Sequence, residues 1–189
     1  MNASPQPLIL PFKGVLPRIH PSAFLANATI IGDVEIAEDA NIWFGVTIRG
    51  DVNAVRIGRR TNIQDGTVVH CTGGLTNTVI GDDVTVGHLA LLHGCTLEDG
   101  AFVGMQACIM DNAVVESGAM VAAGALVTPG KVVKAGEVWA GNPAKFLRPI
   151  SDKDRMVHQH TIPHYLKLAR QYLGEVGGGP PDAQRPAAE

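Results

Sequence analysis

Ile80-Gly81-Asp82-Asp83-Val84-Thr85-Val86-Gly87-His88-Leu89-Ala90-Leu91-Leu92-His93 returns an aliphatic residue at Ile80, Val86 and Leu92, with glycine directly after the first two. The spacing of six matches neither the 3.6-residue turn of an α-helix nor the two-residue alternation of a half-buried strand. The frame extends backwards through Val69, Ile63, Ile57, Ile48, Ile42, Ile36 and Ile30. Forwards it slips by one residue and continues through Leu97, Val103, Ile109, Val115, Val121, Val127 and Val133. The fifth position stays small or β-branched, as at Val34, Ala40, Val46, Val84, Ala107 and Ala119. Such a repeat predicts an all-β solenoid: each hexapeptide is one short strand, three strands make a triangular coil, and stacked aliphatics fill a parallel β-helix. A composition of 46% hydrophobic but only 5% aromatic residues suits it, because Val, Ile and Ala fill stacked layers that rings would overfill.

A solenoid exposes an apolar layer at each end unless something covers it. The Pro-containing segment 1–25 is expected to cap one end, and the repeat to occupy 26–146. Past Asn142-Pro143-Ala144-Lys145, Ser151-Asp152-Lys153-Asp154 reads as a helix start with Ser151 as N-cap. The apolar stripe Met156, Ile162, Tyr165, Leu166, Leu168, Ala169, Tyr172 and Leu173 predicts a C-terminal α-helix over 151–173, kinked or divided at Pro163 and stopped by Gly174. A mobile tail is expected over 174–189.

The chain of 189 residues is long enough to bury a core without staples. A net charge of −3 without Lys or Arg runs argues against a nucleic-acid partner. Neither a secretory leader nor a membrane-spanning apolar stretch is read, so the expected location is cytoplasmic with no membrane partner. Cys71, Cys95 and Cys108 are odd in number and lack metal-knuckle spacing, which suits reduced structural thiols.

Three of the seven histidines fall inside the repeat. With Ile57, Ile63 and Val69 opening faces one, two and three, the next coil opens at Ile80, Val86 and Leu92, and the longer step from Val69 to Ile80 demands an extruded loop at Cys71-Thr72-Gly73-Gly74. His70 and His93 then hold the same slot on face three of adjacent coils and stack about 4.8 Å apart, with Arg49 below them in the same column. Two stacked imidazoles can converge on one metal at Zn–N distances of about 2.0–2.1 Å. His88 opens onto a different face, five extended residues and roughly 16 Å of chain from His93. It is therefore read as serving a neighbouring subunit's pair, which closes as a C3 ring. His20 reads as an ordinary surface residue, and the partly helix-spaced His158, His160 and His164 as a cluster whose register Pro163 disturbs.

Taken together, Ile48-Arg49-Gly50-Asp51, Asn62-Ile63-Gln64-Asp65 through His70, Gly87-His88 with His93-Gly94-Cys95, Gly104-Met105 and Gly141-Asn142-Pro143-Ala144-Lys145 resemble the gamma-class carbonic anhydrase family over about residues 10–172. The resemblance implies a left-handed parallel β-helix, a homotrimer, and a metal, zinc with Fe(II) or Co as alternatives, held by His70 and His93 of one subunit and His88 of the next. It implies reversible hydration of CO2 to bicarbonate by a metal-bound hydroxide at the trimer interface. Gln64 would orient that hydroxide, Tyr165 would approach the site from the helix, Arg49 and Asp51 would pair across the interface, and Asn62 would line the pocket. Fast members carry a proton-relaying glutamate directly after the Asp of the Arg-x-Asp segment. Here that position is Val52 and the loop after His70 is uncharged, so slow or absent hydration is expected. Competing readings are a coenzyme A thioesterase, an acyltransferase of the same hexapeptide-repeat superfamily, and a catalytically silent metal-binding scaffold.

Overall fold

The computed structural model describes residues 6–175. Strands stack in parallel into a left-handed β-helix of about seven coils, followed by one helix. Face two shows the repeat most plainly: Phe24–Leu25, Asn41–Ile42, Asn62–Ile63, Thr85–Val86, Phe102–Val103, Met120–Val121 and Glu137–Ala140 pair in that order. Face three carries Val68–His70, Leu91–His93, Cys108–Ile109 and Leu126–Val127 above the first part of the long strand Thr47–Ile57. Every repeat aliphatic from Ile30 to Val133 lies in the core, and the small residue two positions earlier, as at Val34, Ala40, Val46 and Val84, is buried with it, so each coil packs these pairs against the coils above and below.

The N-terminal segment covers its end by joining the stack. Leu8–Leu10 pairs in parallel with residues 29–31 and Arg18–Ile19 with residues 35 and 36. The long step after Val69 is met by a compact loop, in which Thr76 donates its backbone N–H to Thr72 and Gly74 to the Asn53 side chain. The one-residue slip after Leu92 falls at Gly94, whose φ is +59°. A Cβ at Gly94 would run into Asp111 Oδ1 and Thr76 Oγ1, so a shortened corner packed this tightly requires glycine.

The helix spans Asp152–Glu175. Its start is the predicted cap in full: Asp154 N–H donates to Ser151 Oγ at 3.3 Å while Ser151 N–H donates to Asp154 Oδ2 at 2.8 Å, a reciprocal capping box. Arg148 adds an ion pair to Asp154, and together these hold the Asp154 carboxyl far below the usual carboxylate range. Three expectations are corrected. Pro163 does not divide the helix: Pro163 and Gln159 both sit on the exposed side, where water can bond the carbonyl that the missing N–H leaves free. Gly174 is not a stop, since the helix runs through it to Glu175. Met156 is 68% exposed and no part of the buried stripe. The expected tail from residue 176 onward lies outside the described residues.

The helix docks on face two through Tyr165, Leu168, Ala169, Tyr172 and Leu173, which pack on Phe24, Ala26, Trp43 and Phe44. Trp43 meets Tyr165 and Tyr172 edge-on at 5.3 and 5.7 Å, an arrangement that aromatic quadrupoles favour. This satellite core fixes which helix residues face the solenoid.

Candidate metal centre

His70 and His93 are direct register partners on adjacent strands. Their aliphatic neighbours Val69 and Leu92 point into the core with no exposure, so strand alternation sends both imidazoles outward. The rings lie 5.3 Å apart between centroids, and His70 Nδ1 is 3.3 Å from His93 Nε2. Two nitrogens at that separation, each about 2.05 Å from a shared zinc, would subtend about 107°, close to the tetrahedral angle zinc adopts. The pair therefore fits a tetrahedral ion without rearrangement of the backbone.

The remaining ring nitrogens are held by carboxylates. His70 Nε2 lies 3.0 Å from Asp51 Oδ1, and Asp51 in turn accepts from Arg49 at 2.7 Å within the same chain. His93 Nδ1 lies 3.1 Å from Asp111 Oδ2. With a proton on each of those nitrogens donating to its carboxylate, His70 Nδ1 and His93 Nε2 would be lone-pair donors turned toward one another. Thr72 and Thr76 hydroxyls both donate to Asp111 Oδ1 at 2.9 Å. Burial pushes the Asp111 carboxyl up, but the hydrogen bonds from Thr72, Thr76 and His93 outweigh it and hold the group below the usual range. Thr78 ties the same region together, its hydroxyl donating to the His70 carbonyl while accepting the Gly94 N–H.

His88 is elsewhere. It stands at the corner after face two, where its Nδ1 lies 2.8 Å from Asp65 Oδ2. Among the described residues no three His, Cys, Asp or Glu side chains converge as a metal site. One chain thus carries two separate pieces: the pair His70/His93 with its carboxylates, and His88 with Asp65.

Gln64 belongs to the second piece. Its strand neighbours are Asn62 and, one coil back, Asn41, and their side chains form a buried ladder. Gln64 Nε2 donates to Asn62 Oδ1 at 2.9 Å, Asn62 Nδ2 donates to Asn41 Oδ1, and Trp43 Nε1 donates to that same oxygen. One N–H of the Gln64 amide is thereby committed, which fixes the amide's orientation and turns its carbonyl oxygen away from Asn62 as an acceptor. Gln64, Gly87, Met105, Phe102, Met120 and Tyr165 line a mostly apolar cavity of about 410 Å³ between face two and the helix. Tyr165 packs on Trp43 and borders this cavity at once; burial, then nearby Asp65, raises its hydroxyl pKa.

No protein-family model matches the sequence. The chain is 47% identical over 165 residues to the Arabidopsis thaliana protein named gamma carbonic anhydrase 2, mitochondrial, a match covering 84% of this chain and 59% of that one. It is 43% identical over 166 residues to the protein named carbonic anhydrase of Geobacillus kaustophilus, covering 87% of this chain and 91% of that one. The chain belongs to the gamma-class carbonic anhydrase family. A solved structure described as a hexapeptide transferase family protein from Anaplasma phagocytophilum shares 50% identity and a TM-score of 0.84 with this gamma-class chain, over 88% of it and 98% of that chain. The Arabidopsis relative is the longer protein, so the chain spans about 59% of its length.

Asp111, Thr72 and Thr76, which hold His93 in place, were not among the site residues singled out from the sequence. No residue spacing marked them: Asp111 lies 3.1 Å from His93 across the crowded corner at Gly94, a distance that backbone geometry sets. His20, by contrast, is the surface residue expected, its Nδ1 2.9 Å from Ser22 Oγ. Val52, in the slot where fast members carry glutamate, is 48% exposed and brings no proton-accepting group.

Proposed function

We propose that the protein is a zinc-dependent, reversible CO2 hydratase whose site forms between subunits of a homotrimer. The observation that carries the reading is the convergence of His70 Nδ1 and His93 Nε2 at 3.3 Å while His88 stands on another corner of the same chain. His88 of a second copy would supply a third nitrogen. Zinc held by these histidines would supply a Lewis acid that brings the pKa of water to about 7; three neutral nitrogens would also take Co or Fe(II).

The chain's own groups then have distinct tasks. Asp51 and Asp111 keep protons on His70 Nε2 and His93 Nδ1, and so fix which nitrogens face the metal. Gln64 is held rigidly by the Asn62–Asn41–Trp43 ladder, and its carbonyl oxygen accepts the hydrogen of the attacking water, aiming the oxygen lone pair at CO2. Asn62 acts through Gln64. Tyr165 closes the cavity from the helix side and is a neutral hydroxyl donor at working pH. The Arg49–Asp51 pair shapes the interface edge. No carboxylate stands at Val52 to carry protons to buffer, so turnover is slow. The three cysteines are unpaired, Cys95 buried with its thiol pushed up to about 12, which suits a reducing cytoplasmic compartment.

A second reading rests on the cavity. About 410 Å³ is far more room than CO2 needs and lies in the range of pockets for larger ligands, which favours thioester hydrolysis by the same zinc chemistry. Metal analysis with stopped-flow CO2 hydration, run beside short-chain acyl-thioester hydrolysis, decides between them. Zinc near one per chain with measurable hydration and no thioester turnover supports the main reading; zinc-loaded protein that cleaves thioesters and leaves CO2 untouched replaces it.

A further inference from the structure

The continuous helix brings together two histidines that the metal centre does not use. His160 and His164 are one turn apart on its exposed side. Their rings are 5.8 Å apart between centroids and inclined by only 26°, a nearly parallel stack. Among the described residues neither imidazole has a carboxylate or hydroxyl partner, in contrast to His70, His88 and His93, each of which is held by an aspartate. The third helix histidine, His158, is excluded from the set. Its ring packs against Phe102 at 5.8 Å, and its Nε2 is buried without a partner.

We propose that His160 and His164 form a second, solvent-facing site for a borderline divalent cation such as zinc, nickel or copper. Two imidazoles at i and i+4 on one helical face can close on a single ion, because one turn sets their Cβ atoms about 5–6 Å apart and side-chain rotation brings the nitrogens together. Both side chains are exposed, so rotation gives up only their stacking on one another and the edge contact of His164 with Tyr165 at 5.4 Å. Nitrogen donors select this class of metal over magnesium or calcium, which require oxygen. Waters complete the coordination, as no third protein donor stands near among the described residues. The clip also has a structural consequence. His160 and His164 flank Pro163, whose missing N–H weakens that turn, so a shared ion staples the helix where its own hydrogen bonding is thinnest.

The test uses the full chain, already loaded at its principal site. Equilibrium dialysis against buffered free zinc is compared for wild type, His160→Ala, His164→Ala and the double variant. Wild type is expected to take up one zinc per chain more than the double variant, and each single variant to bind that extra ion at least ~10-fold more weakly, since chelation is lost. Because the readout is a difference, it is unchanged whether or not the principal site holds zinc, and it stands apart from the proposed hydratase activity. Hydrogen exchange gives an independent measure: zinc should slow amide exchange around Pro163 in wild type and leave the double variant unaltered. Superimposable zinc isotherms for wild type and double variant overturn the proposal, as does a single variant that retains the full wild-type isotherm.

Discussion

Asp111→Asn is isosteric and removes one charge from a group that touches the metal site only through His93. In the wild type Asp111 accepts from two threonine hydroxyls and lies 3.1 Å from His93 Nδ1. The amide keeps one carbonyl oxygen, but its NH2 group can only donate, and it no longer stabilises positive charge on the imidazole. His93 then loses both the preference for the Nδ1–H tautomer and the extra basicity at Nε2. Carboxylates that orient metal-ligating histidines are worth about 10–100-fold in metal affinity, which corresponds to about 1.4–2.7 kcal/mol. Competition against a chromophoric zinc chelator reads this directly, with thermal unfolding of the metal-free protein as the control for fold. The zinc-induced rise in melting temperature should shrink in parallel, since it follows the ratio of free metal to dissociation constant. Zinc affinity within about twofold of wild type, in a variant that folds normally, would refute the assignment of Asp111 as the orienting group.

Gly94→Ala should destabilise the protein by about 2 kcal/mol or more, since it adds a left-handed backbone penalty to a clash with Asp111 and Thr76. Gly118→Ala, also at positive φ but with open space around it, should cost only about 1 kcal/mol; equal costs in urea titrations would show that the crowded corner is not what demands glycine. Asp154→Asn should cost about 1 kcal/mol through the capping box. Because the Asp154 pKa is depressed on folding from its ordinary 3.8, its contribution is complete above about pH 4 and fades as pH falls through the folded value; a wild-type acid-unfolding curve that coincides with that of the variant would contradict this.

The fold was legible because one physical constraint repeats. Each short strand turns one large aliphatic into the core, with a smaller side chain two residues before it, so Ile, Val and Leu had to return every six residues, and counting them placed His70 above Arg49 and beside His93. The Ser151–Asp154 cap was legible for a related reason, being a local hydrogen-bond pattern written in adjacent residues. Asp111 was not, because its reach to His93 depends on how far the corner at Gly94 is shortened, a distance set by backbone geometry and not by spacing. Met156 fits the apolar spacing of the helix yet lies outside the buried stripe, because Trp43 and Phe24 determine which helix residues turn inward. Pro163 looked disruptive because its cost depends on whether the freed carbonyl reaches water, and that depends on which side of the helix is exposed.

The central claim is that one metal is held by two chains, and mixed trimers test it most directly. His88→Ala and His93→Ala homotrimers should each lose tightly bound zinc. When the two variants are unfolded, mixed in equal amounts and refolded together, about one quarter of interfaces unite an intact His70/His93 pair with an intact His88, and zinc should return to about that fraction of sites. Mixed trimers that bind no more zinc than either parent, or a His88→Ala homotrimer that keeps full occupancy, would contradict the shared site.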